Sequence, residues 1–128
     1  MKQLLTIVFI GLVFTSCGPN KEQIKEEKNS STIKIGNLEV MTEDLGSMTW
    51  DDAVKACADL GDGWRLPTKD ELNVLYENQY EIGGFANLNY WSSTEYDFYS
   101  AWFQYFYNGF QFYFLKTNTS YVRAVRAF

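Results

Sequence analysis

Apolar positions along the chain follow two different spacings. Between residues 49 and 76 they recur every three or four residues, which predicts two amphipathic helices. Thr49 and Thr68 each precede acidic residues at the spacing of a capping box, so we expect the helices to begin there. From residue 90 onward apolar residues alternate with polar ones or form short runs, which predicts strands, including a closing strand over residues 120–128. Helices followed by an antiparallel sheet predict an α+β domain.

The stretch 101–115 predicts an aromatic β-hairpin. Asn108-Gly109 separates two aromatic runs and favours a type I′ turn, which needs positive φ at both central residues. A two-residue turn places six aromatic residues on one face in opposed pairs: Tyr107 with Phe110, Tyr105 with Phe112, and Phe103 with Phe114. The other face then carries Trp102, Gln104, Phe106, Gln111, Tyr113 and Leu115. Only one face of a small hairpin is easily buried, so the other is expected to expose aromatic rings to a partner.

Composition narrows the range of functions. The 128 residues include no histidine, which removes the commonest general base and the commonest zinc ligand. The formal net charge of -5 argues against a nucleic-acid partner. All 13 acidic residues of the stretch 35–128 lie at or before Asp97, and the aromatic last quarter is nearly uncharged. We therefore expect a contact surface, with no enzymatic activity and no cofactor.

The N-terminus predicts export. A basic start and an apolar run over residues 4–14 are typical of a signal peptide, since a membrane-spanning helix needs about 20 apolar residues. Small residues before Cys17 resemble a bacterial lipoprotein processing site, which makes residues 1–16 the signal and Cys17 the lipidated N-terminus. An ordinary secretory signal with an incidental cysteine is the alternative. Residues 17–32 are charged and polar and predict a flexible tether, followed by a domain over residues 33–128. The predicted location is the bacterial cell envelope, on its periplasmic or cell-surface side.

Five motifs in order resemble the Lcl-type C-terminal domain family, which has a C-type-lectin-like fold. They are T-W-D-D-A-V-K-A-C-A-D-L-G (49–61), W-R-L-P-T-K-D-E-L (64–72), Y-W-S-S-T (90–94), A-W-x-x-x-F-x-x-G (101–109) and V-R-A-V-R (122–126). The resemblance implies structural roles for Trp50, Cys57, Trp64, Arg65, Trp91, Trp102 and Arg123. It also implies that Trp102, Gln104 and Phe106 face inward.

Two departures from the family pattern matter. Relatives commonly pair a cysteine in the first helix with one in the last strand, but Ala124 stands in the second place, so Cys57 is expected to be a buried, unpaired side chain. The triplets typical of calcium-dependent sugar binding are absent, and only Glu95 and Asp97 lie near the corresponding region. No metal site is therefore predicted. Arg65, Arg123 and Arg126 are expected to pair with acidic residues such as Glu71, with anion binding as the alternative.

The C-terminal V-R-A-V-R-A-F also resembles the end of variable proteins that are diversified by retroelements. In those systems AAC codons become any codon ending in C, a set that includes Tyr and Phe. The same aromatic residues also simply favour strands, and this alternative stays open. The predicted ligand-binding residues are Tyr96, Phe98, Tyr99, Phe103, Tyr105, Tyr107, Phe110, Phe112 and Phe114.

Three functions compete on this evidence. The leading hypothesis is a lipid-anchored binding protein whose aromatic face contacts a protein or glycan. A structural envelope module that associates with itself or a neighbour through a fixed aromatic interface is the alternative. An oxidase of the formylglycine-generating type shares the broad fold, but such enzymes work through paired cysteines and Cys57 is alone.

Overall fold

A computed structural model describes residues 31–128 of the chain. The predicted signal peptide, Cys17 and the tether up to residue 30 lie outside the described residues. The strands are β1 Thr32–Ile35, β2 Leu38–Met41, β3 Gly46–Met48, β4 Asn89–Glu95, β5 Ser100–Tyr105, β6 Gln111–Leu115, β7 Ser120–Val122 and β8 Val125–Ala127. The helices are α1 Trp50–Asp59, α2 Lys69–Glu77 and α3 Gln79–Ile82. Within residues 31–128, none of these helices has the length and apolar character needed to cross a membrane.

The strands form two sheets in an α+β arrangement. One sheet has the order β1-β2-β8, and the other has the order β3-β7-β4-β5-β6. The prediction of a purely antiparallel sheet is wrong at one place, because β4 and β7 pair in parallel. The β5–β6 hairpin separates β4 from β7 along the chain. Strand β7 can therefore lie next to β4 and run in the same direction.

Both predicted helices form, but only one is capped as expected. The Thr68 hydroxyl accepts a hydrogen bond from the Glu71 backbone N–H, and the Glu71 carboxylate accepts one from the Thr68 backbone N–H, which completes a capping box. The Thr49 side chain makes no capping hydrogen bond, so the prediction of a box there is wrong. Helix α1 is held instead by packing, since Ala53 and Cys57 are buried in the core.

The central strands β4 and β5 are covered on both faces. Trp91 and Phe103, which are opposite one another, share a buried cluster with Ala53 and Cys57 of α1. On the other face Tyr90 and Phe106 pack with Leu72 and Leu75 of α2. The expectation that only one face is core is therefore wrong for β5, because a helix lies on each side of it.

The hairpin connection differs from the predicted type I′ turn. Gly109 has a φ of 82°, whereas Asn108 has no positive φ, so the two-residue turn does not form. Tyr105 N–H donates to the Phe110 carbonyl at 2.9 Å, which leaves residues 106–109 as a four-residue loop. The physical reason is the burial of Phe106, because its side chain packs in the core against Tyr90 and Phe85.

The change of loop shifts the strand register by two residues. Phe103 is paired with Phe112 and Trp102 with Tyr113. Because a shift of two residues preserves the side-chain alternation, the predicted division of residues between the two faces of the hairpin is kept. Only the pairs differ from those expected.

The predicted closing strand is divided in two. Ser120–Val122 pairs with β3 and β4, whereas Val125–Ala127 pairs with β2 of the other sheet. Between them Arg123 is fully buried, and it donates to the carboxylate of Asp44 at 2.8 Å and to the carbonyls of Met41 and Gly83 at 3.0 Å. A buried guanidinium needs such partners, so this residue fixes the point where the chain passes from one sheet to the other.

The remaining arginines pair as predicted. Arg65 binds the Glu71 carboxylate through both terminal nitrogens, at 2.6 and 3.0 Å. Arg126 donates to Glu39 at 2.9 Å, and its guanidinium lies over the Trp64 ring. Both arginines therefore bind acidic side chains of the domain itself.

Candidate binding surface

Five aromatic side chains form a continuous patch, which we call the hairpin surface: the half-buried Tyr105 and the exposed Tyr107, Phe110, Phe112 and Phe114. Tyr107 and Phe110 are the most exposed, at 61% and 56%. Neighbouring rings are in contact range, with centroids 5.4 Å apart for Tyr105 and Tyr107 and 6.0 Å apart for Phe110 and Phe112. The patch contains no charged side chain, so it offers apolar area and two phenolic hydroxyls to a partner.

Phe103 does not belong to this surface. Its side chain is only 2% exposed, so its prediction as an outward ligand-binding residue is wrong. It lies in the α1 cluster and stacks beneath Phe114, with ring centroids 5.2 Å apart. The physical reason is the position of Phe103 on β5. Helix α1 covers this face of the sheet at β5, whereas the same face stays open at β6.

The loop between β4 and β5 carries two further exposed rings. Phe98 and Tyr99 are 81% and 70% exposed and lie edge to face at 5.1 Å. The Asp97 carboxylate accepts hydrogen bonds from the backbone N–H groups of Tyr99 and Ser100, both at 2.8 Å, which shapes the loop. Lys116 donates to the Phe98 carbonyl and to Glu95, which holds the loop against β6.

Tyr96 lies on the opposite face of the sheet from the hairpin surface. Its ring stacks on Tyr113 at 3.7 Å, and both rings meet Trp102 edge to face. The hydrogen bond with the Tyr113 hydroxyl raises the pKa of Tyr96. The nine predicted ligand-binding residues are therefore not one site, because Tyr96, which follows β4, stacks on Tyr113 on the α2 side of the sheet.

Trp102 is half-buried, which is less than expected. Its ring is covered by the Lys69 ammonium, 3.6 Å from the ring centroid. This cation–π contact between α2 and β5 was not predicted. Its only sequence signal is a lysine at the start of the second helix, which is too common to identify such a contact.

The loop at residues 106–109 is held in place by α2. A Cβ atom added to Gly109 would lie 2.5 Å from the Tyr76 ring, so any other residue there would have to displace that ring of α2. Gln104, which is fully buried, donates to the Gly109 carbonyl at 3.0 Å and to Asn73 of α2 at 2.9 Å. These contacts attach the loop of the hairpin surface to α2.

The structural residues predicted from the sequence are placed in or against the core. Trp91 is fully buried and its indole N–H donates to the Met48 carbonyl, while the Trp50 indole donates to Ser92. Cys57 is buried, as predicted, has no disulfide partner among residues 31–128, and shares its cluster with Ala124. Burial raises the pKa of the Cys57 thiol to about 12, which disfavours the nucleophilic thiolate. Within residues 31–128, no group of three or more potential metal ligands comes together.

The sequence matches the family described as the Lcl C-terminal domain over residues 18–126. The chain belongs to the Lcl C-terminal domain family. Membership indicates an extracellular binding or structural module associated with the cell envelope. The family match begins at residue 18, within the stretch that the sequence predicts to be a tether. No curated protein matches the chain.

Among solved structures, the Lcl C-terminal domain is similar to a chain of the complex between the A1 domain of a von Willebrand factor mutant (I546V) and botrocetin. The TM-score is 0.54 at 13% sequence identity, and the match covers 76% of this chain and 96% of the other. At this identity the likeness concerns the fold alone. It supports the α+β architecture, and the C-type-lectin-like fold stays a prediction.

Proposed function

We propose that this chain is a non-enzymatic, lipid-anchored binding protein of the bacterial cell envelope, with a C-type-lectin-like fold. Its ligand, a protein or a glycan, docks on the hairpin surface. The observation that carries the proposal is the exposure of Tyr107, Phe110, Phe112 and Phe114, between 39% and 61%, on a rigid strand and loop without charges. A contiguous exposed apolar patch on a soluble domain is typical of an interaction site.

Aromatic side chains suit this role for a physical reason. Tyr and Phe offer a large contact area with only two rotatable side-chain bonds, so little conformational entropy is lost when a partner orders them. The loop is pinned by Gly109 and Gln104, which lowers the cost of ordering further. Phe98 and Tyr99 extend the same kind of surface at the far end of β5.

The anchor and the location rest on the sequence. The apolar run before Cys17 supports export and lipidation, and mass spectrometry of the protein from its native membrane tests both. Diacylglycerol on Cys17 is the expected result. An unmodified Cys17, or a mature N-terminus at another residue, would contradict the proposed anchor. It would not affect the proposal that the hairpin surface binds a ligand.

The binding proposal is tested by substituting the surface without touching the core. Phe110→Ser with Phe112→Ser is expected to abolish capture of the partner by the full chain, because the loss removes the centre of the patch. The measurement is affinity purification from the native envelope, followed by direct binding of each captured candidate. Tyr80→Ser is the matched control, since Tyr80 is 94% exposed on α3. Equal capture by the wild type and the double variant would refute the proposal.

Diversification of this surface is a finer part of the proposal. The exposed set Tyr107, Phe110, Phe112 and Phe114, with the half-buried Tyr105 beside it, fits a diversified face, whereas the buried Phe103 does not, because variation there would reach the core. We expect codons ending in C at these five positions, with a near-copy beside the gene carrying AAC there. Reading the locus decides this. Mixed third bases without a near-copy would mean a fixed interface.

A further inference from the structure

Strand β6 presents a free edge of the five-stranded sheet. It is the outermost strand, and within residues 31–128 no strand pairs with its other side. Tyr105 N–H donates to Phe110 and Lys116 N–H donates to Tyr99, both at 2.9 Å, which fixes the alternation of bonds between β5 and β6. Phe112 and Phe114 therefore direct their backbone groups to β5. The backbone groups of Gln111, Tyr113 and Leu115 point away from the sheet.

The other sheet edges are protected and this one is not. β3 has three residues, β1 carries Lys34, and β8 has three residues and is bridged by Arg65. Short length and lysine are the usual means by which natural proteins block unwanted strand pairing. β6 has five residues, Gln111 to Leu115, without a charge, proline or glycine. An unprotected edge of this kind is suited to a partner strand.

We propose that β6 pairs antiparallel with β6 of a second copy of this chain, around a two-fold axis at Tyr113. In this register Tyr113 N–H donates to the Tyr113 carbonyl of the second copy, and Leu115 N–H donates to its Gln111 carbonyl. Symmetry repeats both bonds. The residues with outward backbone groups map onto one another, as a two-fold interface requires. The Leu115 carbonyl already accepts a hydrogen bond from Asn118 and is not needed.

Charge favours a second copy at this edge. Residues 35–128 carry 13 acidic and 6 basic side chains, so two copies repel over most of their surfaces. Residues 98–115 include no charged side chain, so the copies meet there with the least repulsion.

The available area predicts a weak dimer. Phe110, Phe112, Phe114 and Leu115 are 39–56% exposed. At about 150–250 Å² for an aromatic side chain, even complete burial of these four side chains would cover at most about 500 Å² per copy, or about 1,000 Å² for the pair. Specific associations below about 1,200 Å² are typically transient. Dimer formation should therefore depend on concentration, and the proposed lipid anchor would raise the local concentration at a membrane.

Pairing by the strand edge would bury only the sides of these rings and would leave the outer face of the hairpin surface accessible. Residues opposite one another across two antiparallel strands point to the same face, so Phe112 would lie beside Phe114 of the second copy. The two hairpin surfaces would form one larger aromatic face on a continuous sheet. This inference concerns the strand edge and does not rest on ligand binding by the proposed function.

Cysteine cross-linking in the full chain tests the pairing. Tyr113→Cys places two thiols at the two-fold axis, so mild oxidation should shift the chain to twice its mass on a non-reducing gel. Reductant should reverse the shift. The unsubstituted chain reports any background from Cys17 and Cys57. Leu88→Cys is the matched control, since Leu88 is 47% exposed and directly precedes β4, two strands from the β6 edge.

A mixture of two variants tests the register. Gln111→Cys mixed with Leu115→Cys should give a cross-linked dimer, because these residues are opposite in the proposed pair. Each variant alone should not, since residue 111 lies about 13 Å from its own counterpart, four residues along the strand. Adding Leu115→Lys to Tyr113→Cys should abolish the dimer by placing charges at the edge.

Each outcome decides the proposal. A dimer for Tyr113→Cys and for the mixed pair alone supports it. No cross-link, equal cross-linking of Leu88→Cys, or a cross-link to a different protein overturns the second copy as the occupant of this edge. Phe110→Ser added to Tyr113→Cys separates the two proposals, because cross-linking should persist in this variant while ligand capture is lost.

Discussion

β5 and β6 are neighbouring strands with similar aromatic content and opposite environments. Phe103 on β5 is 2% exposed, and Phe112, directly opposite it on β6, is 47% exposed. β5 lies between α1 and α2, whereas the face of β6 beside Phe103 has no helix over it in the described part of the chain. Position in the sheet, and not residue type, therefore decides which rings are core and which form a surface.

The largest expected effect comes from substituting this opposed pair. Phe103→Ala should lower the free energy of unfolding by about 3–5 kcal/mol, because it leaves a cavity beside Trp91. Phe112→Ala should lower it by about 1 kcal/mol, since much of that ring already faces solvent. Denaturant unfolding of the two variants measures both. Equal losses would contradict the contrast between the strands.

A smaller effect is expected at the loop that joins the strands. Gly109→Ala should cost about 2–3 kcal/mol, because a Cβ there meets the Tyr76 ring and the positive φ disfavours alanine. Gly61→Ala is the matched control: its φ is also positive, but no atom lies within 4 Å of the added Cβ. It should cost about 1 kcal/mol. Similar losses in thermal or denaturant unfolding would mean that α2 does not hold the loop.

The smallest effect concerns the ion pair of α2, the helix that covers β5 from the side opposite α1. The hydrogen bond from Arg65 lowers the pKa of Glu71 below its ordinary value of 4.5. A lowered carboxyl pKa stabilises the fold above about pH 4.5, and this contribution is lost as the pH falls through the lowered pKa. Because the pair is partly exposed, its contribution should be about 1 kcal/mol or less.

Glu71→Gln isolates this contribution. Glutamine still serves in the capping box with Thr68, so the change removes mainly the charge. As the pH falls below about 4.5, denaturant unfolding of the wild type should show a steeper loss of stability than that of the variant. Parallel pH profiles would show that the pair adds no measurable stability.

The sequence predicted the local elements well. The periodicity of residues 49–76 indicated α1 and α2, and the T-K-D-E pattern indicated the capping box at Thr68, because both depend on interactions within a few residues. The motifs from Thr49 to Arg126 also indicated the family, and Cys57 is buried as expected. The signal peptide and Cys17 stay predictions.

The predictions that depend on contacts between distant segments of the chain were wrong. The Asn108-Gly109 dipeptide favoured a two-residue turn, but burial of Phe106 against Tyr90 and Phe85 outweighed that local preference. Phe103 was assigned to the exposed face because the hairpin was considered without α1. In the same way, the division of residues 120–127 between two sheets depends on the burial of Arg123 with Asp44, 79 positions away.

The sequence by itself determined which residues share a face of the hairpin, because side chains alternate along a strand whatever lies beside it. Only the tertiary structure decided which part of each face is open. The helices α1 and α2 cover β5 and stop short of the outer side of β6, so identical rings become core on one strand and surface on the next. Burial of a side chain depends on which distant segments pack against it, so it cannot be predicted from the residues nearby in the sequence.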